Sequence, residues 1–168
     1  MKRSISALTL AAAGAAGAAP AFAADLKVTY DVPRIPVAEY HAPYVVVWIE
    51  NTATGEAAGT LSLRFRPNHE KWLKDMRQWW RKAGRAQGAD LAGVTGPTRA
   101  PGVQDMTFSG AKSPLKELKP GQYSLVVEAA REGGGHESVR VPFTWGRAGR
   151  PATAKGAAEL GVVTVAVK

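Results

Sequence analysis

The sequence contains no cysteine. Disulfide bonds, thiolate metal sites and cysteine nucleophiles are therefore excluded from the chemistry of this protein. Histidine is also scarce, and His41, His69 and His136 show none of the short spacings that prearrange a metal site. We therefore predict no metal site, although His69 and His136 would form a candidate metal-binding pair if the fold brought these loop histidines together.

Motifs of hydrolytic enzymes are missing as well. Ser109 and Ser113 lack the strand–turn–helix context of a nucleophile elbow. The acidic residues are scattered singly, and Glu128 and Glu132, which flank Arg131, are expected at an exposed strand end. The sequence thus predicts a protein that is not an enzyme.

A long apolar run occurs only near the N-terminus. The chain starts with positive charge, and its apolar residues 7–19 are too few to cross about 30 Å of hydrocarbon at about 1.5 Å per residue. Small residues follow at Ala21 and Ala23, the two positions that a signal peptidase recognises. We predict a signal peptide over residues 1–23, cleaved between Ala23 and Ala24, and a periplasmic location. N-terminal sequencing of the exported protein tests this cleavage site.

The rest of the chain, residues 24–168, is long enough for a single domain with a hydrophobic core. No segment in it is apolar enough to cross a membrane. The formal net charge of +8 falls to +6 when Lys2 and Arg3 are removed, so the protein stays basic and favours anionic partners or a membrane surface. We predict an envelope membrane protein or another periplasmic protein as the partner, and no nucleic acid.

Short apolar stretches separated by turn residues predict a β-rich fold. Residues 44–49 are almost continuously apolar and β-branched, which predicts a central strand buried on both faces. A turn at residues 51–55 and a returning strand at residues 60–66 complete a hairpin. Further strands are predicted at residues 26–30, 106–108, 123–128, 139–145 and 161–167. About seven strands indicate an all-β sandwich of two sheets, with Gly- and Ala-rich loops at residues 85–102 and 146–158.

One segment has a helical period instead. Its apolar residues, spaced between basic ones, predict one amphipathic helix of about four turns with Asn68 as its N-cap and Gly84 at its end. The apolar positions are Trp72, Leu73, Met76, Trp79, Trp80 and Ala83.

The two adjacent tryptophans of this helix, Trp79 and Trp80, point about 100° apart, so at most one of them is expected to face the core fully. The other, with Arg77 and Arg81, is the candidate surface for anionic lipid or a planar ligand.

Four segments carry a resemblance to a known family. They are Tyr-Val-Val-Val-Trp-Ile-Glu at residues 44–50, the tryptophans of the helix, Thr-Gly-Pro-Thr-Arg at residues 95–99, and the stretch at residues 121–132. They occur in the same order in a family of predicted periplasmic bacterial proteins of unknown function. The resemblance implies a β-sandwich, and the Pro-Gly-x-Tyr strand start is similar to the immunoglobulin-like domain of flagellar hook-capping proteins.

The same resemblance implies association with membrane proteins of the PepSY type and with flavin transferases, in envelope redox or iron-acquisition systems. Exported flavoproteins carry FMN on a motif resembling Asp-x-x-Ser/Thr-Gly-Ala-Thr, and here Thr98 occupies the acceptor position. Ala92 replaces the acid and Pro97 replaces the alanine. An ordinary Thr-Gly-Pro turn is therefore favoured over a flavin site.

These observations predict a non-enzymatic periplasmic accessory or binding module of immunoglobulin-like build, without a cofactor. The main alternative is an electron carrier with covalent FMN on Thr98. A metal-binding module that uses His69 and His136 is the weaker alternative.

Overall fold

Nine strands and one helical layer form the part of the chain described by the computed structural model, which covers residues 24–87, 91 and 93–168. The predicted signal peptide at residues 1–23 and the FMN-motif position Ala92 lie outside the described residues. The two-sheet sandwich with an added helix, predicted from the sequence, is confirmed. Its immunoglobulin-like character stays a prediction.

The first sheet has four antiparallel strands in the order β5-β1-β9-β8. Its strands are β1 (Leu26–Val32), β5 (Gly102–Phe108), β8 (Ala152–Lys155) and β9 (Val162–Val167). In β1, Leu26, Val28 and Tyr30 are buried and alternate with half-buried residues, because one face of this sheet covers the core and the other faces solvent.

The second sheet has five strands in the order β4-β3-β2-β6-β7. Its strands are β2 (Tyr44–Asn51), β3 (Ala57–Arg64), β4 (Thr95–Gly96), β6 (Gly121–Ala130) and β7 (His136–Trp145). All pairings are antiparallel except that of β3 with β4. The hairpin of β2 and β3 is confirmed, and β2 is buried on both faces, as its continuous apolar sequence predicts.

The five-stranded sheet separates two hydrophobic cores. Val45, Val47 and Ile49 of β2 point into the core between the sheets. Val46 and Trp48 point the other way, into a second core that the helical layer covers. The helical layer contributes Leu73, Met76, Trp79 and Ala83 to that second core.

The helical layer spans residues 70–87 and is less regular than the sequence predicts. A 3-10 helix at Glu70–Asp75 is followed, after Met76, by α1 (Arg77–Trp79), a π-helical turn at Trp80–Gly84 and α2 (Arg85–Gln87). The predicted single inserted helix is confirmed for the 11 residues 77–87, but it is shorter than the predicted four turns, because residues 70–75 form a separate 3-10 helix.

Both predicted helix ends are wrong. Asn68 has a positive φ of 62° and lies outside the 3-10 helix, which His69 precedes without a side-chain cap. The helical layer continues past Gly84, where a Cβ atom would lie 2.6 Å from the Trp79 ring. This glycine is required for close packing under the indole, and it does not end the helix.

The remaining differences between the predicted and the observed strands lie in strands at the edges of the two sheets. β5 starts at Gly102, four residues before the predicted strand, and β4 and β8 lie in segments predicted as loops. β8 has the sequence Ala-Thr-Ala-Lys, and none of its residues is fully buried. This strand forms because its backbone pairs with β9. The pattern of apolar and polar residues in β8 itself does not indicate a strand.

The burial of Trp48 gives a stability prediction. Replacing Trp48 with Ala removes a fully buried indole from the second core, so the free energy of unfolding should fall by about 3–5 kcal/mol. Urea unfolding followed by circular dichroism measures this change. Val103→Ala, at an exposed position of β5, is the control and should change stability by less than about 0.5 kcal/mol. A loss below about 1 kcal/mol for Trp48→Ala would show that this strand is not central.

Candidate functional site

A carboxylate lies fully buried beneath the helical layer. Glu128 is on the central strand β6, directly opposite Val46 of β2 and Ser138 of β7, and its exposure is 0%. Residues opposite each other across a sheet share a face, so Glu128 points into the second core with Val46. A buried charge costs several kcal/mol unless hydrogen-bond donors surround it.

The donors are the first backbone amides of the helical segment that begins at Arg77. The amide of Gln78 donates to Glu128 Oε1 at 2.8 Å, and that of Trp79 donates to Glu128 Oε2 at 2.8 Å. Such amides have no partner within their own helix, and Met76 provides no side-chain cap. A strand carboxylate about fifty positions along the chain therefore caps this helical segment.

His136 completes the surroundings of this carboxylate. Its Nε2 atom lies 2.6 Å from Glu128 Oε1, and its side chain is 24% exposed. The predicted position of Glu128 at an exposed strand end is therefore wrong. A sequence signal for its burial existed, because Glu128 interrupts an otherwise apolar run in a strand that is buried on both faces.

A second polar group holds the other end of the helical layer. Glu50 of β2 accepts hydrogen bonds from Lys82 Nζ and, at 3.2 Å, from Arg140 Nε, and Arg140 also donates to Gln78 Oε1. Burial acts to raise the pKa of Glu50, but the hydrogen bonds from Lys82 and Arg140 outweigh it and hold that pKa below its usual range. The layer is thus fixed to the sheet at Gln78 and at Lys82.

A small cleft lies where the 3-10 helix meets the tip of the hairpin between β6 and β7. We name it the Trp72 cleft, and its volume is about 190 Å³. Its lining residues are Tyr44, Trp72, Asp75, Ala130, Arg131, Glu132 and Gly133. Trp72 is 40% exposed, whereas Trp48 and Trp79 are fully buried.

The charges around the Trp72 cleft are mixed. Lys71 Nζ and Lys74 Nζ lie 5.1 and 5.9 Å from the centroid of the Trp72 ring, within the range of a cation–π contact. Glu132 is 3.6 Å from Arg66, whereas Asp75 has no ion-pair partner within the described parts of the chain. The Asp75 carboxylate is thus the acidic group of the cleft that is available to a ligand.

Two further groups of the cleft have structural roles. Burial raises the pKa of the Tyr44 hydroxyl, so this side chain stays neutral at physiological pH. Arg131 donates to both oxygens of Glu159 at 3.0 and 3.1 Å, and both side chains are buried. Arg131 therefore holds the hairpin tip in place, and its charge is already neutralised.

The candidate surface residues predicted from the sequence differ in their burial. Trp79 is fully buried, and its Nε1 donates to Thr60 Oγ1 at 2.9 Å, so it belongs to the core and is removed from the candidates. Trp80 is half-buried beside it. Arg77 and Arg81 are exposed, and Arg81 Nε donates to the carbonyl of Arg77 at 3.3 Å.

His69 and His136 contact different groups. His69 Nδ1 lies 2.9 Å from the Pro67 carbonyl oxygen, and His136 contacts Glu128. Within residues 24–87, 91 and 93–168, no group of three or more His, Asp or Glu side chains is placed to hold a metal ion. The arrangement gives His136 a role in the buried polar group beneath the helical layer.

Thr98, the candidate FMN acceptor, is half-buried and follows β4 by two residues. The preceding segment is tied to β3, since the Leu63 amide donates to the Val94 carbonyl at 2.9 Å and the Phe65 amide donates to the Gly96 carbonyl at 3.0 Å. Thr98 thus follows a segment held by a sheet edge, which limits how far the segment can extend toward an enzyme.

Comparison with known proteins identifies a family. The family model described as predicted periplasmic protein (DUF2271) matches residues 25–162. Neither a curated protein nor a solved structure matches the chain. Among the residues with described structure, no helix has the length and apolar character needed to span a membrane.

Replacing Glu128 with Gln tests the capping role. Gln keeps the shape but turns one acceptor into a donor that faces a backbone amide, so the free energy of unfolding should fall by about 1–3 kcal/mol. Urea unfolding measures the change. Glu56→Gln is the matched control, because Glu56 is exposed, and it should shift stability by less than about 0.5 kcal/mol. Equal effects of the two substitutions would refute the capping role.

Proposed function

Because this chain belongs to the DUF2271 family of predicted periplasmic proteins and is periplasmic, we propose that it is a non-enzymatic binding module. In this proposal the Trp72 cleft receives an arginine side chain of a partner protein. The observation that carries the proposal is the exposure of Trp72, the most exposed of the five tryptophans, at the edge of a small cavity. Exposed aromatic side chains at small cavities are typical anchoring points of protein interfaces.

The size of the cleft favours a side chain over a cofactor. Pockets for drug-sized ligands have volumes of about 300–1,000 Å³. The Trp72 cleft, at about 190 Å³, is smaller than that range. A flavin or haem would extend far outside it, whereas a single long side chain would be largely enclosed.

The chemistry of the lining favours arginine in particular. A guanidinium group is planar, stacks on aromatic rings and pairs with carboxylates through two parallel hydrogen bonds. Trp72 and Tyr44 offer the rings, and Asp75 offers the carboxylate. Lys71 and Lys74 already lie within cation–π distance of the Trp72 ring, and their positive charges oppose a second cation there. The guanidinium group of the partner therefore needs the negative charge of Asp75 to bind.

The partner class follows from the periplasmic location. We propose a membrane protein of the envelope or another periplasmic protein, and the PepSY-type membrane proteins of redox or iron-acquisition systems are the first class to test. This assignment rests on the family resemblance.

The binding proposal is tested with a minimal probe, N-acetyl-arginine methylamide, by NMR. We expect the indole N–H resonance of Trp72 to shift on titration, with a dissociation constant in the millimolar range that is usual for contacts worth about 4 kcal/mol. Asp75→Asn should weaken binding at least about fivefold, since it removes a charge-assisted pair.

Trp80→Ala is the matched control for Trp72→Ala, because Trp80 is an aromatic residue of the same layer outside the cleft. Trp72→Ala should abolish the shifts of neighbouring cleft resonances, and Trp80→Ala should leave them. The citrulline analogue, which lacks the charge, should not bind. Shifts that persist in Trp72→Ala, or equal shifts with citrulline, would refute the proposal.

The alternative function, electron transfer through covalent FMN on Thr98, makes a different prediction. We expect Thr98 to stay unmodified when a flavin transferase is co-expressed in the periplasm. Pro97 fixes the backbone φ at about −65° next to the acceptor, and residues 94–96 are bonded to β3. Intact mass and the visible absorption spectrum measure the outcome. A yellow protein that loses its label in Thr98→Ala would establish the flavin carrier instead.

A further inference from the structure

The end of the sandwich opposite the Trp72 cleft is strongly basic. Phe108, at the end of β5, leads into residues 109–120, and Trp145, at the end of β7, leads into residues 146–151. These two loops and Lys168 form what we call the basic end. Its two loops contain one acidic residue, Glu117, and Asp25 lies beside Lys168. Its basic residues are Lys112, Lys116, Lys119, Arg147, Arg150 and Lys168.

Backbone contacts show that these segments meet. Gly146 packs so closely on Pro120 that a Cβ atom at this glycine would lie 2.8 Å from the Pro120 ring, and its φ of +85° suits glycine. The amides of Asp25 and Lys168 donate to each other's carbonyl oxygens at 2.9 Å, and the Gly110 amide donates to Asp25 Oδ1 at 3.3 Å. The basic side chains therefore belong to one surface.

A slot of about 400 Å³ opens within this surface, beside the loop at residues 146–151. Its floor includes Phe143, Val165 and Val167, which belong to the core between the two sheets. Arg147 and Arg150 line it from the loop. An apolar floor under two guanidinium groups matches the two parts of an amphiphile, an anionic head and an apolar body.

The two arginines of the slot are unpaired within the described residues. Both are exposed, and neither has an ion-pair or side-chain hydrogen-bond partner in this part of the chain. Arginine binds phosphate oxygens through two parallel donors, and it is the preferred residue for such recognition. The unpaired guanidinium groups thus favour an anionic oxygen ligand.

We propose that the basic end docks on a membrane surface that contains anionic phospholipid. Arg147 and Arg150 bind the headgroup phosphates, the apolar floor of the slot contacts the glycerol and upper acyl region, and the lysines add long-range attraction. A free phosphate ion would leave the apolar floor without a partner. The Trp72 cleft lies at the opposite end, so membrane docking leaves it accessible and does not depend on the binding proposed there.

The test is flotation of the purified protein with two kinds of vesicle. One kind is phosphatidylcholine alone, and the other contains one third phosphatidylglycerol. We expect binding to the second kind only, and binding should weaken strongly at high salt because exposed charges are screened. Wild-type protein that binds neither kind, or both equally, would overturn the proposal.

Two double variants locate the surface. Arg147→Ala/Arg150→Ala should lower the partition coefficient at least about tenfold, given the usual contribution of a basic residue near an anionic surface. Arg34→Ala/Arg99→Ala removes the same charge from two exposed positions outside the basic end and should lower it less than about threefold. Equal losses in the two double variants would show a general effect of net charge and would contradict the proposal that the slot binds the lipid. Thermal unfolding of each variant confirms that it is folded.

A competition experiment separates the lipid from a phosphate ion. Inorganic phosphate at millimolar concentration, with ionic strength held constant, should not displace the protein from the anionic vesicles. Displacement would show that the slot binds free phosphate and would overturn the lipid assignment. Arg147→Lys/Arg150→Lys keeps the charge but loses the planar fork, so it should bind less tightly than wild type and more tightly than the alanine double variant.

Discussion

The hydrogen bonds from the Gln78 and Trp79 amides to the buried carboxylate of Glu128 fix how the helical layer sits on the sheet. A buried carboxylate costs several kcal/mol, and each hydrogen bond to a charged acceptor returns about 1.5–3 kcal/mol. The net free energy is favourable only when both backbone amides are positioned to donate to the carboxylate. The interaction therefore acts more through selecting one position of the layer than through a large net gain in stability.

The Trp72 cleft depends on this position and on a second anchor at the hairpin tip. Glu137 of β7 accepts hydrogen bonds from the amides of Ala157, Ala158 and Leu160, which ties the five-stranded sheet to the loop between β8 and β9. Burial acts to raise the pKa of Glu137, but these backbone bonds outweigh it and lower that pKa. With the Arg131–Glu159 pair, the tip facing Trp72 is held by buried ionic groups.

The strongly patterned parts of the fold could be predicted from the sequence. The continuous apolar run of β2 predicted a central strand and the burial of Trp48, because such a run needs cover on both faces, and the turn after it predicted the hairpin with β3. The edge strands β4 and β8 could not be predicted, since their pairing depends on neighbours distant in sequence.

The candidate site was less predictable for a similar reason. The burial of Glu128 depends on a helical segment that lacks its own cap, and the role of Gly84 depends on the Trp79 ring above it. Each looks like a common surface feature in the sequence, an acid near a strand end and a glycine near a helix end. Trp72 was predicted as part of an apolar stripe, but its exposure follows from the 3-10 geometry of residues 70–75.

Hydrogen exchange at the amides of Gln78 and Trp79, measured by NMR on the unmodified protein, tests the central role of Glu128 most directly. If the buried carboxylate holds these amides, their exchange requires the helical layer to open, and their protection should approach that of the β2 amides at Val46 and Trp48. Exchange as fast as that of the exposed Ala148 amide would contradict the account, because it would show that the layer begins without this bond.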